Sequence, residues 1–330
     1  MSALARVVGA ATPAARWALV TSLLAVACGG GDDATPGMAG SAGAAGSAGA
    51  AGASGAPAAT EGAYDDTPVG GARPTKVYVP GSYRKETPTP LVVLLHGYGV
   101  NGALQSLYFG LEALADARGF LMVHPDGVPD GTNKRYWNAS DECCNPEKSS
   151  VDDSGYLIGV VDEIAARWSV DAKRVFFMGH SNGAFMSYRM ACDHAPRVAA
   201  VASLAGAMFL DPSKCQAKSP VAVLQIHGTK DDTIPYEGGT LMTGSFPGAE
   251  ETVAQWVKLD ACSTGLQPVP PPLDLEASQP GDETDVRSAG GCAPGGAVEL
   301  WRVAGAGHIP NLTAGASARI VDFLLSHPKP

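Results

Sequence analysis

From Tyr64 onward, short apolar runs alternate with longer stretches whose apolar residues recur at helical spacing. Leu91-Val92-Val93-Leu94-Leu95 is apolar at every position, which predicts a central strand covered on both faces. Arg174–Met178 reads the same way, and Lys76–Val79, Phe120–Val123, Val198–Leu204, Val221–Ile226 and Glu299–Val303 complete the set of strands. Helices are expected over Leu104–Arg118 and Ala184–His194. Leu157, Val160, Val161 and Ile164 fall at i, i+3, i+4 and i+7, behind Asp152 and Asp153, whose charge suits a helix N-terminus. Ile320, Phe323 and Leu324 mark a closing helix. Strands alternating with helices predict an α/β fold with a mostly parallel central sheet and helices on both faces. Such sheets carry their sites at the carboxyl ends of strands.

Residues 1–63 lack this pattern. Residues 1–27 carry Arg6 and Arg16 but no acidic residue, and Trp17–Ala27 is an apolar run too short for a stable span, so they read as a secretory leader. Leu24-Ala25-Val26-Ala27-Cys28 resembles a bacterial lipoprotein cleavage box, with Ala25 where that box usually has Leu. Cys28 is therefore the expected lipidation site; ordinary cleavage near Ala27 is the alternative. Residues 28–63 read as a Gly/Ala/Ser-rich flexible linker: residues 29–63 hold 11 of the 41 Gly and 13 Ala, with little to bury. Gly recurs at every third position from Gly37 to Gly55, but its companions are mostly Ala and Ser, with Pro only at Pro57, which favours a tether over a collagen helix. Residues 64–330 then form one large domain. The expectation is an exported protein, either anchored or secreted, that meets a membrane only through a lipid on Cys28.

The net charge is −10, and no run rich in Lys or Arg occurs, which argues against a nucleic-acid partner. Oligomeric state is not legible. Beyond Cys28 there are six cysteines, an even number that fits disulfides in an exported chain. The expected pairs are Cys262–Cys292, stapling the Pro-rich stretch between them, then Cys192–Cys215, leaving Cys143–Cys144 as a vicinal pair. A zinc site is the alternative, but no C-x-x-C with paired His is present.

Gly179-His180-Ser181-Asn182-Gly183 follows one predicted strand and opens a predicted helix, the setting a G-x-S-x-G elbow needs. The glycines permit a tight turn, so the Ser181 hydroxyl projects at the strand tip. A serine is a weak nucleophile near neutral pH and needs an adjacent base. Where such an elbow is used, the chain order is serine, acid, histidine. Only His308 and His327 follow the strand ending at His227, and His327 sits in the tail. His308, in the loop Ala304–His308, is the candidate base. Asp231, after the strand ending at His227, is the candidate acid, with Asp232 as the alternative. The amides of Tyr98, in His96-Gly97-Tyr98-Gly99, and of Asn182 are candidates to face a developing oxyanion. Tyr136 and Trp137 either line a substrate mouth, stacking on a phenolic acid or sugar ring, or pack into the core.

Pro90–Gly102, Pro125-Asp126-Gly127, Tyr136–Ser140 with Cys143-Cys144, Val151-Asp152-Asp153, Gly179–Met190, His227–Tyr236 and Gly307-His308 occur in one order. Together they resemble the bacterial esterases related to polyhydroxybutyrate depolymerases and feruloyl esterases, including carbohydrate-esterase family one enzymes. The resemblance runs from about Lys76 to the C-terminus. It implies an α/β-hydrolase fold, a serine-esterase mechanism with no metal or other cofactor, Ser181 as nucleophile, Asp231 as acid and His308 as base. Relatives often have an aromatic residue shortly after that histidine; here Ile309-Pro310-Asn311 follows, which changes the pocket rather than the triad. The expected substrates are feruloyl or acetyl esters of plant polysaccharide, with a polyester depolymerase as runner-up. A carbohydrate-binding surface lipoprotein with an inactive fold is the alternative of another class.

Overall fold

A computed structural model describes residues 61–330 apart from Pro146, Met242 and Thr243. The expected leader, Cys28 and nearly all of the linker lie outside the described residues. Along the chain run β1 (Ala63–Tyr64), β2 (Val77–Val79), β3 (Thr89–Leu95), α1 (Gly102–Phe109), α2 (Leu111–Arg118), β4 (Leu121–Val123), and a short hairpin of β5 (Val128–Pro129) and β6 (Arg135–Tyr136). Next come α3 (Asp153–Arg167), β7 (Val170–His180), α4 (Asn182–Asp193), β8 (Ala200–Leu204) and β9 (Ala222–Gly228). A second hairpin, β10 (Gly238–Leu241) and β11 (Gly244–Pro247), leads to α5 (Ala249–Leu259). The chain ends with β12 (Gln267–Pro268), β13 (Thr284–Ser288), β14 (Val298–Val303) and α6 (Ala316–Ser326).

Ten strands form one sheet in the order β1-β2-β4-β3-β7-β8-β9-β14-β13-β12. The six from β4 to β14 in that order are parallel, and both margins are antiparallel. Side chains alternate across the pleat as the apolar runs require: Leu91, Val93 and Leu95 of β3 face one core with α3, α4 and α5, while Val92 and Leu94 face the other with α1, α2 and α6. Each such side chain is fully buried, which stabilises the fold by roughly 1.5–3 kcal/mol apiece.

The expected helix over Leu104–Arg118 is two helices. Gly110 adopts the left-handed conformation (φ 61°) and ends α1 by donating its N–H to the Leu107 and Ser106 carbonyls. The folded body also begins slightly before Tyr64: the Gly62 N–H donates to Asp116, and Ala63 pairs with Val79 in the sheet. All three expected cysteine pairs are disulfides: Cys143–Cys144, Cys192–Cys215 and Cys262–Cys292.

Tyr136 and Trp137 do not line a mouth; they are core residues, 2% and 0% exposed. Trp137 is held on three sides. Its indole N–H donates to the His96 carbonyl (3.1 Å), its backbone N–H donates to Asn182 Oδ1 (2.7 Å), and its ring packs against His96. An indole with its one donor satisfied is well suited to burial.

At the other end of the sheet, Asp260 caps α5 and is fully buried, its Oδ1 accepting from the Val221 N–H (3.0 Å) beside β9. Burial drives its carboxyl up to about 7, against partial opposition from that N–H and from Lys329. Unfolded, the same group ionises near 3.8. The folded state thus holds a proton that the unfolded state releases, so this contribution to stability is fully present below about pH 4 and is lost as pH rises towards 7. Asp260→Asn keeps the Oδ1 acceptor and cannot ionise. In denaturant titrations its stability relative to wild type should climb between pH 4 and 7, at about 1.4 kcal/mol per pH unit where the difference is steepest, and level off above. Trp137→Ala should destabilise the fold by about 3–5 kcal/mol in the same titration, the loss expected of a buried aromatic. A residue of the substrate mouth would change KM at unaltered stability instead.

Candidate active site

Ser181 stands at the tip of β7, immediately before α4, with φ 54° and ψ −121°, a backbone conformation rarely adopted by a non-glycine residue. Close packing on both sides holds it there. A Cβ on Gly179 would collide with the Gly183 main chain, and a Cβ on Gly183 with the Leu95 carbonyl of β3. The Ser181 N–H donates to the Leu204 carbonyl at the end of β8 (2.8 Å), tying the tip to its neighbouring strand.

His308, from the loop after β14, reaches this hydroxyl: its Nε2 lies 2.9 Å from Ser181 Oγ. Its Nδ1 lies 2.8 Å from Asp231 Oδ2, on the loop after β9. Since a carboxylate only accepts, Nδ1 carries the proton and Nε2 is left to accept from the serine. Asp232 is exposed, and the hydrogen bond to His308 Nδ1 is made by Asp231 instead. The Asp231 carboxylate is fully buried. Burial alone would raise its pKa, but the neighbouring His227, the hydrogen bond from His308 and the Ile234 N–H outweigh that and hold it well below the usual carboxylate range. The Thr233 and Ile234 amides donate to its other oxygen (2.9 and 2.8 Å), and His227 Nε2 stands 3.4 Å from Oδ2. An aspartate so placed stays ionised and fixes the tautomer of its histidine.

The two candidate oxyanion donors flank the serine. Gly97 and Gly99 have their N–H groups committed, to Gln105 Oε1 (3.1 Å) and the Arg135 carbonyl (2.8 Å). The Tyr98 N–H between them has no acceptor among the described residues. Asn182 opens α4, so its N–H has no partner within the helix. Its side chain is buried and clasped by Trp137, accepting from that residue's N–H (2.7 Å) and donating to its carbonyl (2.9 Å).

An apolar cleft of about 220 Å³ opens onto Ser181 and His308, lined also by Leu104, Tyr108, His180 and Ile309. Sequence reasoning assigned no role to three residues of this neighbourhood. His180 Nε2 donates to the His308 carbonyl (2.8 Å), and its ring lies 4.9 Å from that of His308. Burial, and then the charge on a protonated His308, push its pKa down to about 4, so it stays neutral and keeps that donor. Tyr108 donates to the Pro310 carbonyl (2.7 Å). His227 backs Asp231. His180 is visible in the sequence as a residue of the elbow, but its partner, the His308 carbonyl 128 residues away, is not.

The sequence family described as phospholipase/carboxylesterase matches residues 82–246, half of the chain, including Ser181 and Asp231 but not His308. The putative esterase NocK of Nocardia uniformis subsp. tsuyamanensis is 32% identical over 181 residues, covering 54% of this chain and 51% of the relative. Feruloyl esterase B of Piromyces equi is 26% identical over 242 residues, covering 70% of this chain and 42% of the relative. The chain thus spans about half or less of the length of these curated relatives. Among solved structures, acetyl xylan esterase from Aspergillus awamori superposes with a TM-score of 0.56 at 18% identity, covering 80% of this chain and 99% of the other, a likeness of fold. With its elbow and acid loop inside the matched segment and a parallel sheet of matching fold beneath them, the chain belongs to the phospholipase/carboxylesterase family of α/β-hydrolases.

Proposed function

We propose that the protein is a serine esterase that hydrolyses carboxylic esters through an acyl-enzyme, acting outside the cytoplasm on feruloyl or acetyl esters of plant polysaccharide. The observation that carries the reading is the unbroken hydrogen-bonded series Asp231–His308–Ser181 opening onto an apolar cleft. His308 Nε2 takes the Ser181 proton as Oγ attacks the ester carbonyl. The negative charge that develops on the carbonyl oxygen is met by the Tyr98 and Asn182 N–H groups. The imidazolium, stabilised by ionised Asp231, then gives its proton to the departing alcohol. Water, deprotonated by the same Nε2, attacks the acyl carbonyl and releases the acid, returning the proton to Ser181.

The curated and structural relatives named for feruloyl and acetyl xylan esterase activity support the substrate class. One observation favours a second reading, an apolar polyester: Val100, Leu104 and Ile309 are exposed aliphatics lining the cleft. Export is supported by three disulfides, which persist in oxidising compartments. Anchoring through Cys28 rests on the residues before it, and a Cys28→Ser protein that still partitions with membranes would refute it.

Ser181→Ala should lower kcat on aryl acetates by about 10⁴-fold or more, and Asp231→Asn by about 10⁴-fold, with the fold retained. Asp232→Asn should leave kcat within about twofold, as for an exposed carboxylate outside the series. Parallel kcat/KM measurements on methyl ferulate, an acetylated xylan and hydroxybutyrate oligomers decide the substrate; the first two should exceed the third, and the reverse order would favour the polyester.

A further inference from the structure

His308 lies in a segment, Ala304–Thr313, with no regular structure apart from a single bridge between Leu312 and Glu276. Upstream of the histidine, this segment is tied to the loop after β9. The Gly305 N–H donates to Thr229 Oγ1 (2.9 Å), and the Lys230 N–H donates to the Ala306 carbonyl (2.9 Å). Downstream, Ile309 is 69% exposed and provides no anchor through its side chain. The next grip is the Tyr108 hydroxyl on the Pro310 carbonyl (2.7 Å), made across 202 residues of chain, followed by Glu276 Oε2 accepting the Asn311 N–H (2.8 Å).

Tyr108 belongs to α1, and three residues earlier on the same helix Gln105 accepts the Gly97 N–H beside Tyr98. Residues at i and i+3 share a helix face. One face of α1 therefore touches both the loop that offers the oxyanion amide and the loop that carries the base. The helix is itself fixed at its start: the Asn101 side chain caps the Leu104 N–H (2.9 Å), and the Gly102 N–H donates to Asp126 (2.8 Å). Burial, with the nearby Glu276 charge, raises the Tyr108 phenol well above its ordinary pKa, so it remains a donor through the working pH range. Its ring lies 6.1 Å from that of His180, which in turn packs on His308.

We propose that Tyr108 is a positioning residue for His308: its hydroxyl, held by the helix face that also grips the oxyanion loop, sets where the imidazole stands relative to Ser181 Oγ. The inference rests on the reading of Ser181 as nucleophile and His308 as its base. Tyr108 touches neither reacting atom, so its removal should act on the rate of proton transfer and not on the affinity of the cleft. A misplacement of about 1 Å can lower a rate about 100-fold, and loss of a single anchor in a loop held elsewhere should have a smaller effect.

The test uses the full chain with Tyr108→Phe, which keeps the ring in the cleft and removes only the hydroxyl. A second variant, Tyr78→Phe, is the control: Tyr78 donates to Asp116 Oδ2 (2.7 Å) at the β2 margin of the sheet, so it loses a comparable hydrogen bond away from the cleft. Rates are taken per folded molecule, with the folded fraction read from near-ultraviolet circular dichroism. For Tyr108→Phe, kcat on p-nitrophenyl acetate should fall about tenfold with KM within about twofold. The rate of covalent labelling of Ser181 by a fluorophosphonate should fall by the same factor, because both reactions need His308 to take the serine proton. Tyr78→Phe should change thermal stability and neither rate. Wild-type kcat and labelling in Tyr108→Phe, or equal losses in both variants, would overturn the inference. Failure of the underlying reading looks different: wild-type protein would then resist labelling at Ser181 altogether.

Discussion

The chemistry proposed for this molecule depends on one side chain spanning a gap. Ser181 and Asp231 follow β7 and β9, and β8 stands between those strands, so the two residues cannot meet directly. His308, rising from the end of β14, closes the distance with one ring nitrogen on each partner. Sheet order makes this possible: β7, β8, β9 and β14 are consecutive and parallel, so all their carboxyl ends open on the same edge. The residues just past β8 have to stay out of the way, and Ala205 and Gly206 do. A Cβ at Gly206 would press on Ala184 of α4.

The electrostatics around that edge are arranged to keep one charge and exclude others. Asp231 is a fully buried carboxylate, a state that is costly unless its oxygens are satisfied. Two amides and His308 satisfy them, with His227 standing close by. His180 is kept neutral by the same burial, which prevents a second cation from forming against a protonated His308. Nearby, Asn182 shows how a backbone donor is aimed: its side-chain amide is doubly bonded to Trp137, so the start of α4 is tied to the loop that carries the Cys143–Cys144 disulfide.

How much of this was legible in the sequence follows from how local each determinant is. The parallel strands were readable because a strand buried on both faces must be apolar throughout, as in Leu91–Leu95. The elbow was readable because its glycines, serine and flanking elements are contiguous. Asp231 and His308 followed from their places after strands. By contrast, β13 reads Thr-Asp-Val-Arg-Ser, an antiparallel margin strand with too little apolar signal to mark it. Gly110 divides a helix whose apolar period runs through it, because the break is set by backbone conformation. Tyr136 and Trp137 carry no mark distinguishing a mouth from a core; only the contacts with His96 and Asn182 decide it. Tyr108 was invisible as a functional residue for the same reason, since its partner lies two hundred residues away.

The packing of the elbow has a genetic consequence. What a side chain at Gly183 would strike is the main chain of Leu95 and His96, and at Gly179 it is the main chain of Gly183 and Ala184. Trimming a neighbouring side chain elsewhere in the protein would make room for neither. Alleles that replace these glycines should therefore resist second-site suppression, whereas losses in the surrounding core, where side chain meets side chain, remain open to compensation by a change in the partner. Repeated selection for restored function ought to return true revertants at positions 179 and 183, and a scatter of compensating changes around Phe185 and Phe246.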